Sequence, residues 1–125
     1  MRASDICPCG LGGTYGECCG RWHRGEDAPT AELLMRSRYT AFVVADAAYL
    51  RRTWHPSTRP AELDLSGGPE FTGLEILDGV GGSLFELAGT VRFRAHYREG
   101  GAPGVMEEHS RFVREDGRWF YLDAI

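Results

Sequence analysis

No cysteine occurs after residue 19 in this chain of 125 residues; the four present are Cys7, Cys9, Cys18 and Cys19. That distribution excludes a framework of disulfides spread through the fold, and the sulfurs read as one site. No apolar leader precedes them: the chain opens Met1-Arg2-Ala3-Ser4-Asp5, so a reducing, cytoplasmic setting is expected. There is no run of about 18 apolar residues, which removes a membrane helix from consideration. Catalytic signatures are missing too, with no Gly-x-Ser-x-Gly, phosphate loop, dinucleotide fingerprint or repeat. A formal net charge of −4 excludes global nucleic-acid binding driven by phosphate neutralisation and leaves only local contacts.

What is present starts with the crowding of those thiols. Four sulfurs meeting at one point are what a tetrahedral zinc ion requires, and a soft thiolate site accepts iron as well. Redox-active thiols and a Cys7–Cys18 type of disulfide are the alternatives, although bridging the neighbours Cys18 and Cys19 would strain the peptide between them. Pro8 stiffens the link between the first two sulfurs, and Gly10, Gly12 and Gly13 permit the reversal that returns the chain to Cys18. Arg2, Arg21, His23 and Arg24 lie close enough in sequence to offset the charge of a thiolate-bound ion, or to form a small basic face for an acidic partner or RNA. His23 is a reserve ligand in place of Cys19.

Cys7-Pro8-Cys9-Gly10, eight intervening residues before Cys18-Cys19, Tyr15 ahead of the second pair and the closing Gly20 resemble the SEC-C metal-binding motif of the SecA translocation ATPase tail, in its Cys-Cys rather than Cys-His variant. The likeness continues through Pro29-Thr30-Ala31-Glu32, Leu34 to Phe42, Thr53-Trp54-His55-Pro56-Ser57-Thr58-Arg59-Pro60 and Ser110 to Glu115 with Gly117-Arg118-Trp119, which resemble the bacterial YchJ family. The resemblance implies a SEC-C zinc knuckle at 1–25 and a nuclear-transport-factor-2-like, cystatin-like cone at 26–125. It also implies docking partners of the SecA-tail kind: a secretion chaperone, the translocation ATPase or the ribosome. It supplies no reaction.

Periodicity agrees with an α+β order. Thr30 after Pro29 caps a helix in which Met35, Tyr39, Phe42 and Val43 form one apolar stripe. Asp46 starts a second helix, with Tyr49, Leu50, Thr53 and Trp54 inward, that ends at Pro56; a short helical turn is expected from Pro60 through Leu65. From Phe71 the period becomes two. Strands are expected at Phe71–Leu77, Leu84–Arg98, Val105–Arg114 and Trp119–Asp123, the last two joined by the turn Glu115-Asp116-Gly117.

A sheet with one apolar face, if curled, wraps the helices and encloses a pocket, which is the cone that the resemblance implies; the periodicity alone gives the layers. Its candidate members are Trp54 and His55 at the helix end, Glu108 and Ser110 on the third strand, and Trp119 and Asp123 on the last. Alternation places Glu108, Ser110 and Phe112 on one face, and likewise Trp119, Tyr121 and Asp123. Each charged candidate also has a purely structural explanation: a turn for His55, an arginine pair for Glu108, a cap or Arg59 for Asp123. His96 and His109 fall on the arginine-bearing faces. Two functional classes follow: a non-enzymatic zinc-binding adaptor whose knuckle docks on a protein partner while the cone supplies a second surface or binds a small molecule, or a small-molecule isomerase, dehydratase or hydrolase using His55, Glu108 or Asp123 for proton transfer.

Overall fold

A computed structural model describes residues 1–125. A 3-10 turn (Tyr15–Glu17) and the short helix α1 (Cys19–His23) form the N-terminal knuckle. Helix α2 (Ala31–Val44) follows because Thr30 is extended and its hydroxyl accepts the Leu33 N–H at 3.2 Å. It stops at Ala45, which takes a left-handed φ of 59°. Asp46 then caps helix α3 (Ala47–Arg52) by accepting the Tyr49 N–H at 3.0 Å.

Four strands complete the chain as an antiparallel meander in the order β1 (Glu70–Gly81), β2 (Ala88–Glu99), β3 (Ala102–Glu115), β4 (Arg118–Ala124). The layers are those of an α+β domain, with helices packed on one face of the sheet. Val91, Phe93, Ala95, Ser110, Phe112 and Trp119 point inward and are buried. The opposite face is held by a polar ladder of Glu75–His96, Arg94–Glu107 and Arg111–Asp123. The backbone after α3 runs beside β4, with Tyr121 N–H donating to the Thr53 carbonyl and His55 N–H to the Tyr121 carbonyl, both at 2.8 Å. That contact covers one edge of the sheet.

Three sequence expectations require correction. Residues 61–65 form no helical turn: Leu63 and Leu65 pack on the core at i, i+2 spacing, an extended period. Strand β2 begins at Ala88 rather than Leu84, because Gly81 and Gly82 take φ of 67° and 79° and reverse the chain there. A turn at 83–86 follows, closed by the Glu86 carboxylate on the Ser83 N–H, and it leaves Phe85 91% exposed. Helix α2 is not covered along a single stripe. Met35 and Tyr39 are buried, but so are Ser37, Arg38 and Thr40, whereas Phe42 is 38% exposed. The cause is that α2 is sandwiched between the sheet and the knuckle, so it buries two faces.

Candidate metal centre and cone pocket

The four Sγ atoms lie within 4.8 Å of one another, and those of Cys9 and Cys18 are 3.5 Å apart. A tetrahedral ion with sulfur at about 2.3 Å would hold its ligands about 3.8 Å apart. The spacing fits an ion and is far beyond the disulfide length of about 2.05 Å; all four cysteines are free. Gly10 and Gly12 make the loop possible, with φ of 88° and 93°. The Cys7 N–H then bonds the Gly13 carbonyl at 2.9 Å and closes the reversal.

Burial turns that geometry into an electrostatic demand. Cys7, Cys9 and Cys19 are each at most 2% exposed. Hydrogen bonds from the Cys19 and Cys9 thiols hold Cys7 far below the ordinary thiol range, while the bond to Cys7 pushes Cys19 far above it. Burial, aided by Cys9, pushes Cys18 up to about 12. Four thiolates therefore cannot coexist here on their own; a central cation is what lets them. The donor set fits a metal ion bound by thiolates. Four such donors leave no open position for water, so an ion here would be structural rather than catalytic.

Helix α2 supports the cluster from behind. The Thr40 hydroxyl lies 3.8 Å from Cys7 Sγ, and the Arg36 guanidinium donates to the Cys9 carbonyl at 2.5 Å. His23 does not stand among the sulfurs. Its Nδ1 is 2.7 Å from the Tyr15 hydroxyl and its Nε2 is 2.9 Å from the Ser37 carbonyl, so Nε2–H donates and Nδ1 accepts. Both nitrogens are occupied in tying the knuckle to α2. The expected basic face is likewise absorbed: Arg2 pairs with Asp5, Arg21 with Glu26, and Arg24 donates to the Gly16 carbonyl at 3.1 Å. Arg36, which the sequence reading passed over, is the cation against the knuckle backbone.

Between α2 and the inner face of the sheet lies a cavity of about 260 Å3. Its wall is mostly apolar, with Met35, Tyr39, Phe71, Phe93 and Phe112 among its members. Phe42 and Met106, 38% and 40% exposed, border it as well, so it opens to solvent between α2 and β3. Arg38, Trp54, Glu108, Ser110 and Tyr121 supply the polar groups. Ser110 and Tyr121 hydroxyls both donate to Glu108 Oε2, the latter at 3.3 Å. Burial draws the Arg38 guanidinium down to about 10, which leaves it charged at neutral pH. Burial likewise pushes Tyr121 up to about 12, with Glu108 adding to the shift.

Of the candidates expected to converge, Trp54, Glu108 and Ser110 border this cavity and the others lie elsewhere. His55 sits on the outer side of β4, where Nε2 contacts Glu115 at 2.5 Å and Nδ1 the Ser57 hydroxyl at 2.7 Å. Asp123 accepts two bonds from Arg111 at 2.6 Å on the far face of the sheet. The reason is a bulge: Phe112 pairs with Tyr121 but Arg111 with Asp123, so Leu122 is the extra residue and alternation breaks between Tyr121 and Asp123. Trp119 keeps the inner face but lies at the other end, its indole N–H on the Pro29 carbonyl at 3.1 Å. Arg38 and Tyr121 were not singled out from sequence. The available signal was Arg38 lying three residues after Met35 and four before Phe42, a charge inside an apolar stripe.

Comparison with known proteins gives a consistent result. Residues 30–124 match the family described as YchJ, middle NTF2-like domain, and residues 4–21 match the SEC-C motif. The UPF0225 protein SCO1677 of Streptomyces coelicolor is 60% identical over 94% of this chain and 93% of its own length. The UPF0225 protein of Deinococcus radiodurans is 54% identical over 94% and 87%. Among solved structures, RPA3114, a SEC-C motif containing protein from Rhodopseudomonas palustris, superposes with a TM-score of 0.84 at 33% identity, over 95% of this chain and 96% of that one. A SEC-C motif containing protein from Psychrobacter arcticus gives a TM-score of 0.81 at 27% identity, over 98% and 84%. A clustered cysteine knuckle in front of a nuclear-transport-factor-2-like layer, matched along nearly its whole length, places this chain in the YchJ family of SEC-C motif proteins.

Proposed function

We infer that this protein is a zinc-binding, non-enzymatic adaptor of the cytoplasm, with a knuckle (1–25) that docks on a protein partner and a cone (26–125) that holds a small molecule. The observation that carries the docking half is apolar exposure around a closed thiol cluster. Ile6 is 69% exposed and Leu11 49%, on a segment otherwise pinned by its sulfurs. By likeness to the SecA tail, the partner is a secretion chaperone, the translocation ATPase or the ribosome. Zinc is favoured over iron because four-thiolate structural sites are typical of zinc. Against an enzyme stands the dispersal of its proton-transfer candidates: His55 is hydrogen-bonded to Glu115 and Asp123 is ion-paired with Arg111, both outside the cavity, and Glu108 alone faces it.

Metal analysis after reducing purification should give about one zinc per chain; finding no metal ends this reading, and finding iron changes the ion but not the ligands. Binding to each purified partner is then compared for the wild type, Cys18→Ser and an Ile6→Asp, Leu11→Asp double variant that keeps its metal. Loss of binding in both variants supports docking through the knuckle surface. Unchanged binding in both, or no binding by the wild type, rejects it.

A further inference from the structure

Arg38 is only 6% exposed, and no carboxylate pairs with it. One amino group of its guanidinium donates to the Leu50 carbonyl and the Thr53 hydroxyl, each at 2.7 Å. The other N–H groups have no acceptor in the protein, yet none is sealed away from the cavity. The guanidinium carbon stands 5.0 Å from the centre of the Trp54 ring and 4.7 Å from that of Tyr121. Stacking of this kind orients a cation but does not replace a counter-ion. Burying a charge without one is costly.

Glu108 repeats the pattern with the opposite sign. Its Oε2 is taken by Ser110 and Tyr121, while Oε1 accepts nothing from the protein and is not sealed off. Tyr121 stands between the two charges, with its ring against Arg38 and its hydroxyl on Glu108. Cation and carboxylate thus face the same apolar space without meeting. Trp54 borders the same space with its ring, although its Nε1 is sealed from it and has no partner.

An unpaired donor cation, an unpaired acceptor anion and an aromatic enclosure together define a complement. We propose that the cone binds a small zwitterion with an apolar body, an α-amino acid of the leucine, methionine, phenylalanine or tryptophan kind, with its carboxylate on Arg38 and its ammonium on Glu108. A lone carboxylate would leave Glu108 unpaired and facing a second anion; a lone amine would leave Arg38 unpaired. A purely apolar guest would desolvate both. The cavity of about 260 Å3 lies just below the usual span of ligand sites, which run from about 300 Å3 upward, and so suits a small metabolite rather than a peptide. This deepens the small-molecule half of the adaptor reading and is independent of its docking half.

The test is titration of the metal-loaded full chain with each of the four amino acids, by calorimetry and amide chemical shifts, alongside 3-phenylpropionate and phenethylamine. At least one amino acid is expected to bind with a Kd of about 1 mM or tighter, and the analogue lacking either charge to bind about tenfold or more weakly. Glu108→Gln, which preserves shape and an acceptor for Ser110, should abolish the advantage over 3-phenylpropionate. Arg38→Lys keeps a cation but not the fork, and should weaken the amino acid while sparing phenethylamine. Overturning results are no saturable binding by any of the four, or an advantage over the single-charge analogues of less than about tenfold. Metal content and thermal unfolding of the same samples separate a failed ligand assignment from a failed knuckle.

Discussion

The hydroxyl of Thr40 reaches the sulfur of Cys7 at 3.8 Å, across 33 residues of sequence, from a side chain that is completely buried. Thr40 belongs to the helix that also walls the cone, so the metal knuckle and the cone share one element. The three buried cysteines and Trp22 accordingly fall within the same apolar core as Phe93 and Phe112.

Loss of the ion should therefore be felt throughout the molecule. Cys18→Ser, or chelation of the wild type, is expected to lower the stability of the whole chain by on the order of 3 kcal/mol. Denaturant unfolding followed by tryptophan fluorescence and by far-UV circular dichroism should show one transition shifted in both signals. A cone that unfolds unchanged would show the two parts to be uncoupled.

Thr40→Val keeps the volume and removes the hydroxyl beside Cys7. Outer hydrogen bonds of this sort are worth about 10–100-fold in metal affinity. A competition titration with a chromogenic chelator should register a weakening of about tenfold, with the fold intact.

Two phenylalanines separate core from surface. Phe112 is 2% exposed at the centre of the inner face, and Phe112→Ala should cost about 3–5 kcal/mol. Phe85 is 91% exposed on the β1–β2 turn, and Phe85→Ser should leave the unfolding midpoint unchanged within about 0.5 kcal/mol.

The tyrosines predict an alkaline limit. Burial is the leading cause raising Tyr15, Tyr39, Tyr49 and Tyr121 above the ordinary value of 10.0, the last two up to about 12. A raised native pKa means the unfolded chain releases its proton first, so the contribution is intact below pH 10 and is lost as pH climbs toward 12. For Tyr49, 2% exposed, the loss amounts to roughly 3 kcal/mol. The phenolate signals of Tyr49 and Tyr121 should rise together with unfolding between pH 10 and 12, and Tyr49→Phe should move the transition upward. Titration of Tyr49 or Tyr121 near pH 10 in a still-folded chain would contradict this.

Much of the architecture was legible from residue order alone. Thr30 and Asp46 announce helix starts through capping chemistry that acts within three residues, and both caps form as expected. The Glu115–Gly117 turn between β3 and β4 is local in the same way, with Asp116 and Gly117 at φ of 52° and 76°. Where the reading failed, the deciding partner was distant. The stretch from Leu84 to Leu87 looks like strand until the reversal at Gly81-Gly82 is known. Asp123 shares a face with Tyr121 in any unbroken alternation, and only pairing with β3 reveals the bulge at Leu122.

The chain by itself determined that four thiols would gather near the N-terminus and that helices would precede a meandering sheet, because spacing, glycine placement and periodicity act over a few residues at a time. Only the tertiary structure decided which charges are buried. An arginine in a helix is normally a solvated residue, and Arg38 becomes an enclosed cation because α2 is pressed between knuckle and sheet and its side chain lines the cone. Burial depends on what packs from elsewhere in the chain, and no local pattern carries that information.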